Sequence, residues 1–226
     1  KNLESYSFQD DCRKSISGNF LHNRINLQWT ISEQISVNAA IRNRLFWGEE
    51  VKLYPDFAGQ LRNQNEAINL QQAWIQNTSL VLHSNAERLN LVFQHERLKV
   101  MAGRQRINWG ITTAWNPNDI FNAYNFLDFD YEERPGVDAC RIQYTVDDFS
   151  GAEAAFAVLG KSREIVSALK YNLNKWGYDV QLNAGWYKNH LVAGAGWAGN
   201  ILDAGFRGEV QYYLKNKASA SHLNLS

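Results

Sequence analysis

Odd positions from Leu21 to Ile31 read Leu21, Asn23, Ile25, Leu27, Trp29 and Ile31, while the even ones read His22, Arg24, Asn26, Gln28 and Thr30. Successive side chains of a strand point to opposite faces, so this spacing predicts a long strand with an apolar and a polar, cationic face. After the polar stretch Ser32 to Gln34 the alternation resumes, with Ile35, Val37, Ala39, Ile41, Leu45 and Trp47 against Ser36, Asn38, Arg42 and Arg44. Two such runs around a short polar link predict a hairpin. The figure recurs in Leu89 to Gln94 with Leu98 to Ala102, in Cys140 to Thr145 with Ala154 to Val158, and in Leu169 to Leu173 with Tyr178 to Trp186. Single strands follow around Leu191 to Ala198 and Phe206 to Leu214, which makes about ten.

The links fall into two kinds. Those within hairpins are short, whereas Gly48 to Ala86 and Gly110 to Asp138 are long. Helical propensity over Glu66 to Gln76, and the start signals Asn116-Pro117-Asn118-Asp119, predict short helices inside these two loops. Tight turns at one end and long loops at the other are the asymmetry of an outer-membrane barrel. The expected fold is therefore all-β: an antiparallel up-and-down transmembrane β-barrel, incomplete at about ten strands, with two long loops. The strands and loops occupy 18–214, with long loops at about 48–86 and 110–138, between an N-terminal segment 1–17 and a C-terminal tail 215–226.

Composition narrows the function. Twenty-three basic residues balance 23 acidic ones, so no basic excess exists to neutralise phosphates and nucleic acid is not an expected partner. Mean hydropathy is −0.44 and no run of 18 apolar residues occurs, which excludes a transmembrane helix but not a barrel, whose alternate residues face water. Cys12 and Cys140 stand alone without metal-ligand spacing, and the five histidines are scattered; neither a metal nor a cofactor is expected. Alternation does not by itself tell inside from outside, and a soluble ligand-binding barrel would show it too. Aromatic residues favour the membrane: Trp29, Trp47, Trp109, Trp176, Trp186 and Trp197 with Tyr144, Tyr171, Tyr178 and Tyr212 lie mostly near strand ends, where girdles anchor a barrel.

Two stretches break the rhythm. In the phase of Leu98, Val100 and Ala102, Arg104 and Arg106 would face lipid at about 2–4 kcal/mol each. A bulge at Gly103 is expected to turn Arg104, Arg106 and Asn108 inward and Ile107 and Trp109 outward. Gly194, Gly196 and Gly199 leave one strand almost without interior side chains, so something bulky is expected to pack there.

The run Gly103-Arg104-Gln105-Arg106-Ile107-Asn108-Trp109-Gly110, then Trp115-Asn116-Pro117-Asn118-Asp119, then Asp128-Phe129-Asp130-Tyr131-Glu132-Glu133-Arg134-Pro135-Gly136, resembles the signature of a porin-like outer-membrane family related to alginate-export-like porins. Arg42-Asn43-Arg44-Leu45-Phe46-Trp47-Gly48 is similar too, so the resemblance spans about residues 18 to 214. It implies a channel in the outer membrane of a Gram-negative bacterium, touching membrane lipid and lipopolysaccharide and passing small polar solutes. Homo-oligomeric assembly stays open. Members of such families finish on a strand with a terminal aromatic residue, which 215–226 lacks, so a truncated barrel is expected.

For function, Arg104 and Arg106 on the wall would face Asp128, Asp130, Glu132, Glu133 and Arg134 of an inserted loop, with Arg141 following. Such opposed charges form a pore constriction; a structural ion-pair network pinning the loop is the alternative. Arg24, Arg42, Arg44 and Arg88 form a basic ladder suited to anionic solutes by bidentate hydrogen bonding. An outer-membrane enzyme is the other class. No Gly-x-Ser-x-Gly elbow is present and no catalytic residue is expected, although Ser36 and Ser167 are placed toward the lumen.

Overall fold

The computed structural model describes residues 2–7, 14–63, 66–113, 115–121, 136–160, 163–214 and 222–225. The elements are β1 (Asn2–Ser7), β2 (Lys14–Thr30), β3 (Ile35–Gly48), α1 (Glu49–Leu53), α2 (Phe57–Gln60), β4 (Gln71–Gln76), β5 (Leu80–His95), β6 (Leu98–Gln105), β7 (Val137–Asp147), β8 (Ser150–Leu159), β9 (Glu164–Lys175), β10 (Tyr178–Tyr187), β11 (His190–Ile201), β12 (Ala204–Leu214) and β13 (His222–Leu225). All strands join one antiparallel sheet in chain order, except that β4 pairs with β5 off the main path. The ten expected strands are β2, β3 and β5 to β12; three further short ones are β1, β4 and β13. The sheet is not closed, since β1 and β13 lie at its two ends and do not pair.

Which face is covered is unambiguous. Leu21, Ile25, Leu27, Trp29, Leu91, Ile142, Leu169, Leu182 and Leu191 are exposed, while Arg42, His83, Glu87, Glu153, Gln181, Asn183, Glu209 and Gln211 are buried. Leu169 is 66% exposed; Glu209, deep in the opposite face, is 1%. Hydrophobic burial in water drives the reverse distribution.

The sheet is also sheared. From Trp29 the cross-strand row runs through Val37, Leu91, Ala102, Cys140, Phe156, Ser167, Trp186 and Leu191 to Leu214. Trp29 lies one residue from the turn-side end of β2 at Thr30, whereas Leu214 lies ten residues from the turn-side end of β12 at Ala204. The row therefore climbs about one residue per strand, which at ~3.3 Å rise and ~4.8 Å strand spacing is a tilt of about 35°.

Several expectations change. The long link ends at Leu80, because β5 begins there and reverses phase midway: Val81, His83, Asn85 and Glu87 are buried, then Asn90 and Val92. A bulge between the pairs Ala40–Arg88 and Ile41–Ala86 makes the switch. The first long link holds α1, α2 and β4, so Gln71 to Gln76 is strand rather than helix. No helix forms over the described part of the second, 118–121; 122–127 lies outside the described residues. The N-terminal segment contains β1, and the tail contains β13, paired to β12 from Val210 to Tyr213.

The bulge expected at Gly103 is absent. Pairing to β5 and β7 runs unbroken through it, although its φ is +114° and a Cβ there would press on the Leu89 carbonyl. Ile107 and Trp109 are not outward either: the chain leaves the sheet after Gln105 and both become fully buried. Among the glycines, Gly194 and Gly196 meet the loop residues Ile111 and Asn118, as the bulky cover required, whereas Gly199 meets the Tyr178 ring on the other face. Ser167 pairs with Phe156 and Trp186, and so shares the apolar face rather than the polar one.

Candidate functional site

The polar face of β2, β3 and β5 gathers arginines because His22, Arg24, Arg42 and Arg44 fall in one phase on a paired hairpin: His22 faces Arg44 and Arg24 faces Arg42. The bulge in β5 then brings Glu87 and Arg88 into the same region. Arg24 Nε and Arg42 Nη1 each lie 3.5 Å from a different oxygen of Glu87. Arg88 has Arg24, Arg106 and Glu87 as its electrostatic neighbours. Among the described residues Arg24, Arg42, Arg88 and Arg106 thus form one group beside Glu87, and Arg24, Arg88 and Arg106 are half-buried rather than sealed. Like charges brought together in this way create a positive potential that attracts anions.

Arg44 is engaged differently. It donates to the Leu61 carbonyl at 3.0 Å and lies 3.5 Å from His83 Nδ1, so it ties the α1–α2 loop to the wall. Below it, Val51, Phe57, Ala58 and Val81 form a small apolar cluster with Phe46 and Leu61.

Arg104 does not join the ladder. It pairs across from Leu89 and Asp138, at the seam where β6 ends and the Glu66 to Leu70 segment leads into β4. It grips Asp138 through Nε at 3.0 Å and Nη2 at 3.0 Å, meets Glu66 at 3.1 Å, and donates to the carbonyls of Ala86 at 3.2 Å and Ile68 at 2.5 Å. Asp138 also accepts from the Ala67 and Ile68 amides. A buried guanidinium this fully used is a structural pin. Burial pushes the Glu66 carboxyl above its ordinary value, against the pull of Arg104.

On β7 to β12 the insert 106–121 occupies the polar face. Glu153 accepts from Trp109 Nε1 at 2.5 Å, from Arg141 at 2.6 and 2.8 Å, and from Gln143 at 3.1 Å, with Lys170 at 3.4 Å. Lys170 Nζ also stands 5.3 Å from the Trp109 ring centre. Glu209 accepts from the backbone amides of Ile111, Thr112 at 2.9 Å and Asn118 at 3.1 Å. Gln181 donates to the Trp109 carbonyl at 2.6 Å. Ile107, Trp109, Ile120 and Phe121 then pack on Ala155, Ala157, Val166, Ala168 and Val192.

Of the residues expected at a constriction, the three that are described lie apart from one another. Arg106 joins the ladder, Arg104 pins the seam, and Arg141 is held by Glu153. Asp128, Asp130, Glu132, Glu133 and Arg134 lie outside the described residues. Glu66, Glu87 and Glu153 were not anticipated; the visible signal was Glu153, a lone charge in the small-residue run Gly151-Ala152-Glu153-Ala154-Ala155. Cys140 is a free thiol, and Cys12 lies outside the described residues. Among the described residues no group of three or more metal-ligating side chains comes together. No family model, no curated protein and no solved structure matches the chain.

Proposed function

We propose that this chain forms the wall of an outer-membrane channel for small polar or anionic solutes. The observation that carries the reading is the inverted burial: leucines, isoleucines and tryptophans on one open face, ion pairs and amides on the covered one. Soluble monomers rarely expose contiguous apolar patches beyond a few hundred Å², whereas a bilayer requires such a surface. The tilt of about 35° matches the ~35–45° of barrel strands. Exposed Trp29, Tyr144, Tyr171 and Trp176 lie toward the tight turns, with Trp47 and Trp186 toward the other end, as two interfacial girdles require. A closed wall needs pairing along the edges of β2 and β12 beyond that made by β1 and β13. The resemblance to porin-like proteins agrees with this reading.

The arginine group around Glu87 is the solute-facing chemistry, and it favours anions. Refolded protein in planar bilayers tests it: steps of conductance with anion preference are expected, and replacing Arg24 and Arg88 by Gln should reduce that preference. A protein that stays in water without detergent and gives no conductance would overturn the reading.

A further inference from the structure

Where the insert crosses β11, three amide side chains converge on one glycine. Gly194 is the cross-strand partner of Asn183 on β10 and of Gln211 on β12, which places both amides beside it on the covered face. Asn118 arrives from the insert, and its Nδ2 donates to the Ala195 carbonyl at 2.9 Å, so its Oδ1 is fixed facing the other way. A Cβ on Gly194 would fall within 2.5 Å of both Gln211 Oε1 and Asn118 Oδ1, so these two oxygens are at most about 5 Å apart. Neither can donate to the other. Asn118 and Gln211 are fully buried and Asn183 is 5% exposed. Asn118 Oδ1 and both amide atoms of Asn183 and of Gln211 have no hydrogen-bond partner within the chain.

Leaving five buried polar atoms unpaired is costly, and native proteins meet such groups with internal water. The atoms include donors as well as acceptors. An amide N–H repels a cation, whereas water both gives and takes hydrogen bonds and commonly makes about three in such sites. Two acceptors within about 5 Å of each other can share one molecule at ordinary hydrogen-bond lengths.

We propose that Asn118, Asn183 and Gln211 hold a buried water site over Gly194, and that this water is the joint between the insert and the sheet. Glycine is needed there because a Cβ would collide with the Gln211 and Asn118 oxygens that hold the site. The inference uses only the geometry of insert and strands, and it stands whether or not the chain conducts solutes.

Two measurements on the full refolded chain test it. A crystal structure soaked in rubidium chloride should show a density peak within hydrogen-bond distance of at least two of the three amides, without rubidium's anomalous signal. Rubidium in the peak, or amides bonded directly to one another, would overturn the proposal. The second measurement is the unfolding midpoint of Gln211→Met. Losing one arm of a water bridge strands the other amides, so the midpoint should fall by roughly 2–4 °C, and adding Asn183→Leu should cost less than it does alone. If the amides were dry, removing one would remove an unpaired group and raise the midpoint, which would contradict the site.

Discussion

Along β2 to β6 the polar face brings Arg24, Arg42, Arg88 and Arg106 together with Glu87, and Arg24, Arg88 and Arg106 are half-buried. Along β7 to β12 the insert packs on the same face, where Arg141 and Lys170 meet Glu153 and Glu209 accepts from three backbone amides. Both halves have the same period-two pattern in sequence. What differs is the chain that follows each long link. The first folds into α1 and α2 and rests mainly on Arg44 and a small apolar cluster. The second brings Ile107, Trp109, Ile120 and Phe121, too apolar to stay in contact with water, and they settle on the small residues Ala155, Ala157 and Ala168.

The sharpest way to break this contrast is to remove an anchor on the closed side. Glu153→Ala leaves the half-buried Arg141 and Lys170 without their carboxylate, and a loss of about 2–4 kcal/mol is expected in equilibrium unfolding in detergent. An effect below ~1 kcal/mol would mean that the insert is not seated there. Next comes Gly103→Ala at the boundary between the halves. Its φ of +114° and the close Leu89 carbonyl predict a loss of about 1–3 kcal/mol in the same measurement.

On the open side the expectation reverses. Arg88→Gln loses the attraction of Glu87 but relieves repulsion from Arg24 and Arg106, so it should cost less stability than Glu153→Ala and lower the anion-to-cation permeability ratio in bilayer recordings. A large stability loss with unchanged selectivity would place Arg88 with the structural arginines. The smallest effect is expected at Lys188 and Glu164, paired at 2.8 Å but both more than a third exposed. The hydrogen bond that Lys188 donates to Glu164 holds the lysine above its ordinary value. Its contribution is therefore full below that ordinary value and is lost as pH rises through the raised one. Lys188→Met should leave the neutral-pH midpoint almost unchanged, and remove only a slight alkaline slope.

Ten strands and their faces were legible because alternation survives wherever one face is uniform, as in Leu21 to Ile31. The first half of β5 was hidden by its bulge: Val81, His83, Asn85 and Glu87 run in the opposite phase to Asn90 and Val92, so a single-phase reading starts the strand late. Four-residue β13 and six-residue β4 are too short for periodicity to register. That Arg24, Arg42, Arg44 and Arg88 share one face could be read from phase alone. The separate fate of Arg104 could not, since it depends on Glu66 and Asp138, which are distant in sequence and meet only at the β4–β6 seam. Likewise Trp109 looked like a girdle residue by its spacing, and only the departure of the chain from the sheet after Gln105 turns it inward. The glycines of β11 did announce a cover, because a strand without side chains has to be packed by something else.

The central claim is that the open apolar face meets hydrocarbon, and single spin labels along β9 test it most directly. With Cys12 and Cys140 replaced and the protein in lipid vesicles, labels at Leu169 and Tyr171 should be accessible to oxygen and shielded from a water-soluble nickel complex. Labels at Lys170 and Asn172 should not share that oxygen accessibility. Nickel accessibility at Leu169 and Tyr171, or no alternation along the strand, would contradict the account.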